Sequence, residues 1–127
     1  MNIAEFLEAR ITEDEVAARE AAVSAGGAGW SAQQLDHEGL SVYGDDAAGQ
    51  IDFDSEETVP TLRYLVRFDP ARVLAECAAK RAILAAQKNQ EDNDDDMAWI
   101  VASGVLLRSL AAVYSDHPDY QQEWARG

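Results

Sequence analysis

The sequence predicts a mostly α-helical protein of the α+β class, with a three-helix core, a short C-terminal helix and a small β-hairpin insertion. Two observations predict this class. Long segments carry apolar residues at helical spacing, and one acidic segment instead holds short apolar runs separated by turn residues. With 127 residues and 47% apolar composition, the chain suits a single small domain spanning residues 1–127.

The first helix is predicted over residues 2–23. Its apolar residues recur at helical spacing and comprise Ile3, Phe6, Leu7 and Ile11. Acids fill the opposite face, and Arg10 and Arg19 are predicted among them. A capping-box pattern beginning at Thr12 makes a break there an alternative. A single helix is favoured because nothing else interrupts the run, and glycines after Ser24 end it.

Residues 30–57 differ in character, because they hold eight acids and no lysine or arginine. Short apolar pieces flank a turn-rich stretch of glycine, aspartate and alanine. This pattern predicts a hairpin with strands near Leu40–Tyr43 and Gln50–Phe53. The alternative is a loop that becomes ordered on binding a partner.

Residues 60–88 are predicted to be helical. For residues 60–68 the pattern also fits a strand, although Pro60 suits the first turn of a helix. Asp69 followed by Pro70 is a strong helix start, with an acceptor at the N-cap and proline at the first position. Cys77 lies on an apolar face and is predicted to be a small buried residue.

The most apolar stretch, residues 97–114, predicts a central helix packed by the helices over 2–23 and 70–88. One predicted stripe contains Trp99, Leu106, Leu110 and Val113, and a second contains Ile100, Leu107 and Tyr114. The acids before it can cap its first turn. A membrane span is disfavoured because Arg108 and several small residues interrupt the apolar run.

A short final helix is predicted over residues 118–125, after a turn that contains Pro118. Tyr120 and Trp124 are four residues apart, so both can anchor this helix on the core.

The net charge of −14 results from ten basic and twenty-four acidic residues. Direct nucleic-acid binding is disfavoured because the chain has no basic patch to neutralise phosphates. A basic protein is the expected partner, although acidity also serves solubility alone. The single cysteine and the absence of a secretory signal favour the cytoplasm.

Four pieces of the chain resemble a family of uncharacterised actinobacterial and actinophage proteins, domain of unknown function family 6221. The pieces are Phe6–Glu15, Gly29-Trp30, Asp69–Glu76 with Lys80-Arg81, and Tyr114–Tyr120 with Glu123-Trp124. The resemblance implies a small soluble protein from an actinobacterium or its phage, and it implies no activity. Many relatives carry cysteine pairs that suggest metal binding. Residues 90–96 replace them here, so a structural metal is not expected at this place. No cofactor is predicted for the chain.

One compact set of residues, Asp116, His117 and Asp119, could hold a metal or move a proton. The same residues also suit a turn and a helix cap beside Pro118, and that interpretation is favoured. Phosphate-binding glycine loops, nucleophile elbows and paired-histidine zinc motifs are absent from the sequence.

Three classes of function fit these observations, and we favour a non-enzymatic protein that binds a basic host or partner protein. A sharper version is a nucleic-acid mimic or inhibitor. The predicted contact residues are Asp45, Asp46, Asp52, Asp54, Glu56, Glu57, Asp94 and Asp95. The alternatives are a metal-binding protein or metal-dependent enzyme centred on the Asp116, His117 and Asp119 set, and a homo-oligomeric structural protein.

Overall fold

The computed structural model describes residues 1–35, 39–45, 50–53, 59–93 and 97–125. Helices dominate, and one small sheet follows the first helix. The elements are α1 (Ile3–Ala25), β1 (Trp30–Leu35), β2 (Gly39–Gly44), β3 (Gln50–Phe53), α2 (Val59–Arg67), α3 (Pro70–Asn93), α4 (Met97–Ala112) and a 3₁₀ helix (Gln122–Ala125). The predicted class, mostly α with minor β, is confirmed.

The predicted hairpin is present as β2 and β3, within one residue of the predicted ends. The strands pair antiparallel, with Val42 opposite Ile51. β1 was not predicted; it pairs antiparallel with β2 and completes a three-stranded sheet in the order β1-β2-β3. Its sequence, WSAQQL, has little of the alternation or β-branching that identifies a strand.

The first helix is continuous, as predicted, but its cap lies elsewhere. Asn2 and Glu5 form a reciprocal capping box: Glu5 N donates to Asn2 Oδ1 at 2.8 Å, and Asn2 N donates to Glu5 Oε2 at 2.9 Å. Thr12 does not cap, because its hydroxyl donates to the carbonyl of Glu8 one turn earlier. The helix therefore passes through Thr12 without a break.

The segment from 59 onward contains two helices. Of residues 60–68, which fitted either a strand or a helix, all but Phe68 belong to α2, with Pro60 in its first turn. Asp69 caps α3 as predicted: its Oδ1 accepts from Arg72 N at 2.9 Å, and its Oδ2 accepts from Trp30 N at 3.0 Å. α3 continues to Asn93, beyond the predicted end at Lys88.

The end of α4 and the start of the final helix differ from the predictions. α4 stops at Ala112 because the next three backbone N–H groups bond to carbonyls three residues earlier, which tightens the chain into turns. The predicted helix over 118–125 was wrong in its first half. Tyr120 N donates to the carbonyl of His117, which closes another turn, and only Gln122–Ala125 is helical, as 3₁₀.

The chain divides into two compact units. We call residues 1–13 and 77–127 the helical unit, and residues 14–76 the sheet unit. The boundary between them falls inside α1 and α3. The predicted single domain stays a prediction.

The helical unit has an apolar core of residues from α1, α3, α4 and the C-terminal segment. Its buried apolar members are Phe6, Leu7, Ile11, Cys77, Leu84, Leu107, Ala111 and Tyr120. The Cys77 thiol lies 3.9 Å from the carbonyl oxygen of Ile11, so the predicted buried cysteine is confirmed. Arg81 of α3 bonds to Glu8 and Thr12 of α1, which joins these helices at the rim of the core.

The described half of α4 buries one of its two predicted stripes. Leu107 is buried, whereas Leu106 and Val113 of the other stripe are 45% and 68% exposed. In this half, the two stripes of the predicted central helix are therefore not equally buried. Trp99 and Ile100 are described only as backbone positions in α4. Across the described residues, helix lengths and hydropathies fall short of what a bilayer crossing needs.

In the sheet unit, the end of α1 meets the end of β2. Gly26 and Gly27 have φ angles of 76° and 137°, and Gly27 N donates to the carbonyl of Ala22 at 2.7 Å, as in a Schellman motif. A Cβ on Gly44 would lie 2.4 Å from backbone atoms of both glycines. The absence of a side chain at Gly44 therefore allows β2 to reach the turn after α1.

We expect Gly44→Ala to lower the free energy of unfolding by about 3 kcal/mol, because the added methyl group meets rigid backbone. Chemical denaturation with urea measures this loss. The matched control is Gly104→Ala, where the nearest atom is the flexible end of Arg108 at 3.3 Å. In the control, the free energy of unfolding should stay unchanged or rise by about 0.5–1 kcal/mol, because alanine is more favourable than glycine inside a helix. Equal stability of both variants would contradict the close approach of Gly44 to the backbone of Gly26 and Gly27.

Candidate functional site

The predicted acidic contact residues are described only in part. Asp45 is exposed at the end of β2, and its carboxylate lies beside Gly29. Asp52 is described only as a backbone position in β3. The remaining predicted contacts, which lie outside the described residues, are Asp46, Asp54, Glu56, Glu57, Asp94 and Asp95.

Two members of the predicted Asp116, His117 and Asp119 set converge, and they converge on an arginine. Arg10 Nη1 lies 2.6 Å from His117 Nδ1, also contacts His117 Nε2, and lies 3.7 Å from Asp119 Oδ2. Arg10 Nη2 donates to Glu13 Oε1 at 2.9 Å. Asp116 is exposed and is not part of this cluster.

Phe6 lies beneath this cluster and organises the C-terminal segment around its ring. The ring is fully buried, and the Arg10 guanidinium lies 5.2 Å from its centroid. Four other rings contact it at centroid distances of 5.1 to 6.3 Å, mostly edge to face. They belong to Tyr114, His117, Tyr120 and Trp124. Together, Phe6, Arg10 and His117 form what we call the C-terminal clasp.

The clasp contains a buried charge. Arg10 is only 6% exposed, while Glu13 and Asp119 are more than half exposed and cover the guanidinium from the solvent side. Arg10 Nε is buried without a hydrogen-bond partner among the described residues. Because removing the counter-charges would leave a desolvated cation, the pairing is required for burial at this position.

His117 also shapes the turn that presents it. Its backbone N–H donates to the carbonyl of Tyr114, and its carbonyl accepts from the backbone N–H of Tyr120. Its ring Nδ1 lies 3.0 Å from the backbone nitrogen of Asp119. His117 therefore stabilises two successive turns, and the contact of its side chain with Arg10 connects these turns to α1.

This geometry favours a structural role for His117 over metal binding. A guanidinium only donates hydrogen bonds, so its contact needs a ring nitrogen with a free lone pair, which is the same lone pair a metal would use. Among the described residues, no group of three or more His, Cys, Asp or Glu side chains could hold a metal ion.

The prediction that Arg10 lies on the polar face of α1 was wrong, because Arg10 is buried. Arg10 lies four residues after Phe6 and next to Ile11, so it falls inside the apolar stripe that faces the core. A charged residue inside an otherwise apolar stripe was the available signal. It predicts a buried partner from elsewhere in the chain.

The sheet unit has its own cleft of about 250 Å³. Its lining includes the small residues Ala17, Ala18 and Ala21 of α1, the aromatic residues Trp30 and Phe68, and Asp14. The Trp30 indole is held in place, because its Nε1 donates to the carbonyl of Gly27 at 3.0 Å.

Comparison with known proteins gives one match. The model of a family of unknown function, DUF6221, matches residues 1–126. Curated proteins and solved structures gave no match to the chain.

We expect Arg10→Met to lower the free energy of unfolding by about 2 kcal/mol, because it keeps the contact with Phe6 but removes the bonds to His117 and the acids. Arg19→Met is the control on the same helix. The Arg19 side chain is 64% exposed and, among the described residues, pairs with Glu15 at 3.6 Å, so its replacement should change the free energy of unfolding by no more than about 0.5 kcal/mol.

A double-mutant cycle with His117→Ala tests the contact itself. Arg10→Met and His117→Ala should be non-additive by about 1 kcal/mol in urea unfolding, because either change alone breaks the same contact. Strictly additive losses would show that Arg10 and His117 act independently.

Proposed function

The chain belongs to the DUF6221 family, and for this member we propose a non-enzymatic function: binding a basic protein partner through the acidic surface of the sheet unit. The observation that carries the proposal is the distribution of charge. The sheet unit has thirteen acids against four arginines, a net charge of −9, whereas the helical unit has eleven acids against six basic residues.

Residues 30–57 hold eight of the thirteen acids of this unit and none of its four arginines. Arg19 pairs with Glu15 on α1, and Arg72 pairs with Glu76 on α3, so two of the four are held by acids of their own helices. An acidic segment that contains no basic residue of its own favours a negative local potential, which attracts a positively charged surface.

Exposed aromatic residues give such a partner an apolar contact. Tyr64 on α2 is 61% exposed, and its ring stacks on Phe68 at a centroid distance of 4.8 Å. Aromatic side chains are enriched at protein interfaces, where they contribute binding energy that charge alone does not. α2 packs against β1 and β2, so these rings belong to the same unit as the acidic segment.

On this proposal, charge sets the association rate and the choice of partner, and the aromatic contacts contribute affinity. A sharper version makes the protein a nucleic-acid mimic, with carboxylates spaced along one face like phosphates. A cytoplasmic protein of actinobacterial or phage origin, bound to a basic host protein, fits this version.

The test compares two variants that each lose two negative charges. In the first, Asp45 and Asp46 are changed to Asn. In the control, Asp116 and Glu123, which are exposed acids of the helical unit, are changed to Asn and Gln. Tagged proteins capture partners from a host-type lysate at low and moderate salt, and carbodiimide then couples contacting carboxylates directly to partner lysines.

We expect a basic protein to be captured by the native chain and the control, and to be reduced about tenfold or more with the first variant at low salt. Capture should weaken at moderate salt because exposed charges are screened. Cross-links should map to residues 30–57. Equal capture by both variants, or cross-links confined to the helical unit, would contradict the proposal.

A further inference from the structure

The helical unit contains an open groove of about 790 Å³ between α4 and the C-terminal segment. One wall is a single face of α4, because residues 105, 108, 109 and 112 follow the i, i+3, i+4, i+7 spacing of a helix. Tyr120 and Trp124 form part of the opposite wall. Small residues on the helix wall, Ser109 and Ala112, leave the space between the walls open.

Arg108 is the charged residue among those lining the groove. Five basic side chains in the described part of the chain are buried or half-buried. Four of them have an acceptor or an acidic partner: Arg10 with Glu13, Arg72 with Glu76, Lys80 with Tyr114, and Arg81 with Glu8. Arg108 has no such partner among the described residues. Among the described residues, Arg108 is therefore the half-buried cation whose charge is left for an anion from outside.

The position of the guanidinium depends on Gly104, one turn earlier on α4. Arg108 Nη1 would lie 3.3 Å from a Cβ at that position, so the side chain lies along the helix where a side chain is missing. Glycine inside a helix is unfavourable by roughly 0.5–1 kcal/mol relative to alanine. Here the space beside Gly104 is used by the charged end of Arg108.

We propose that this groove binds a small-molecule carboxylate with an apolar body. The Arg108 fork matches a planar carboxylate, which it can bind through two parallel hydrogen bonds. The apolar body would lie between Val105 and Ala112 on one side and Trp124 on the other. The volume is in the range of small-molecule sites, which are mostly apolar with a few placed polar groups.

Charge complementarity argues for an anion at this position. A chain with a net charge of −14 repels anions over most of its surface, so binding here needs a local cation that is not neutralised by the protein's own acids. This inference is independent of the proposed partner surface, because the groove lies in the helical unit and the acidic segment lies in the sheet unit.

The test is a titration of the full chain followed by NMR of the tryptophan indole N–H groups. The probes are 4-phenylbutyrate and octanoate, each paired with its uncharged alcohol, 4-phenylbutanol and octanol. The chain has three tryptophans, and Trp124→Phe identifies the Trp124 signal by its loss. The variants are Arg108→Gln and Arg108→Lys, and the control is Arg63→Gln, which removes an exposed arginine from α2.

We expect a saturable shift of the Trp124 signal with at least one carboxylate. The matching alcohol should bind about tenfold more weakly, or more weakly still. Arg108→Gln should weaken carboxylate binding about tenfold while leaving alcohol binding unchanged, because it removes a charge-assisted hydrogen bond. The affinity of Arg108→Lys for the carboxylate should fall between those of the native chain and of Arg108→Gln, since lysine keeps the charge but lacks the planar guanidinium that binds a carboxylate through two hydrogen bonds. Arg63→Gln should match the native chain.

Three results would overturn the proposal: no saturable shift with either carboxylate, equal affinity for acid and alcohol, or unchanged carboxylate binding in Arg108→Gln. Urea unfolding of each variant shows whether the fold is retained. If Arg108→Gln is unstable, the comparison of acid with alcohol on the native chain decides the question alone.

Discussion

The helical unit depends on the contact between one face of α1 and the C-terminal segment. Phe6 supplies a fully buried ring that four other rings surround, and Arg10 lies over the same ring while it binds His117. Aromatic packing supplies apolar contact in this unit, and the arginine fixes which turn of the C-terminal segment lies against the helix. The first helix and the last residues of the chain are thereby held together across more than one hundred positions.

The clasp also positions the wall of the groove. Tyr120 and Trp124 contact Phe6 and at the same time line the space in front of Arg108. Arg10 and Arg108 thus have different roles in this unit. Arg10 is neutralised by the protein's own acids and serves stability, whereas Arg108 lacks such a partner among the described residues and faces the groove. The role of each arginine follows from the side chains around it.

Much of the fold could be predicted from sequence because its signals are local. The Asp69 cap, the strands of the hairpin and the continuity of α1 follow from neighbouring residues. β1 was missed because its residues carry no strand pattern and it is stabilised by pairing with β2. The clasp was missed because it joins Arg10 to His117, 107 positions apart, and local rules placed the first on a polar face and the second in a turn. Arg108 was seen only as an interruption of an apolar run, because its surroundings depend on tertiary packing.

Amide hydrogen exchange, read by mass spectrometry, tests the clasp most directly. It compares the native chain with Arg10→Met, and Arg19→Met serves as the control. If Arg10 holds the C-terminal segment, peptides covering residues 114–125 should exchange about tenfold faster or more in Arg10→Met, while peptides from α3 keep their protection. Unchanged protection of residues 114–125 in Arg10→Met would contradict the account, because the segment would then be held by something other than the clasp.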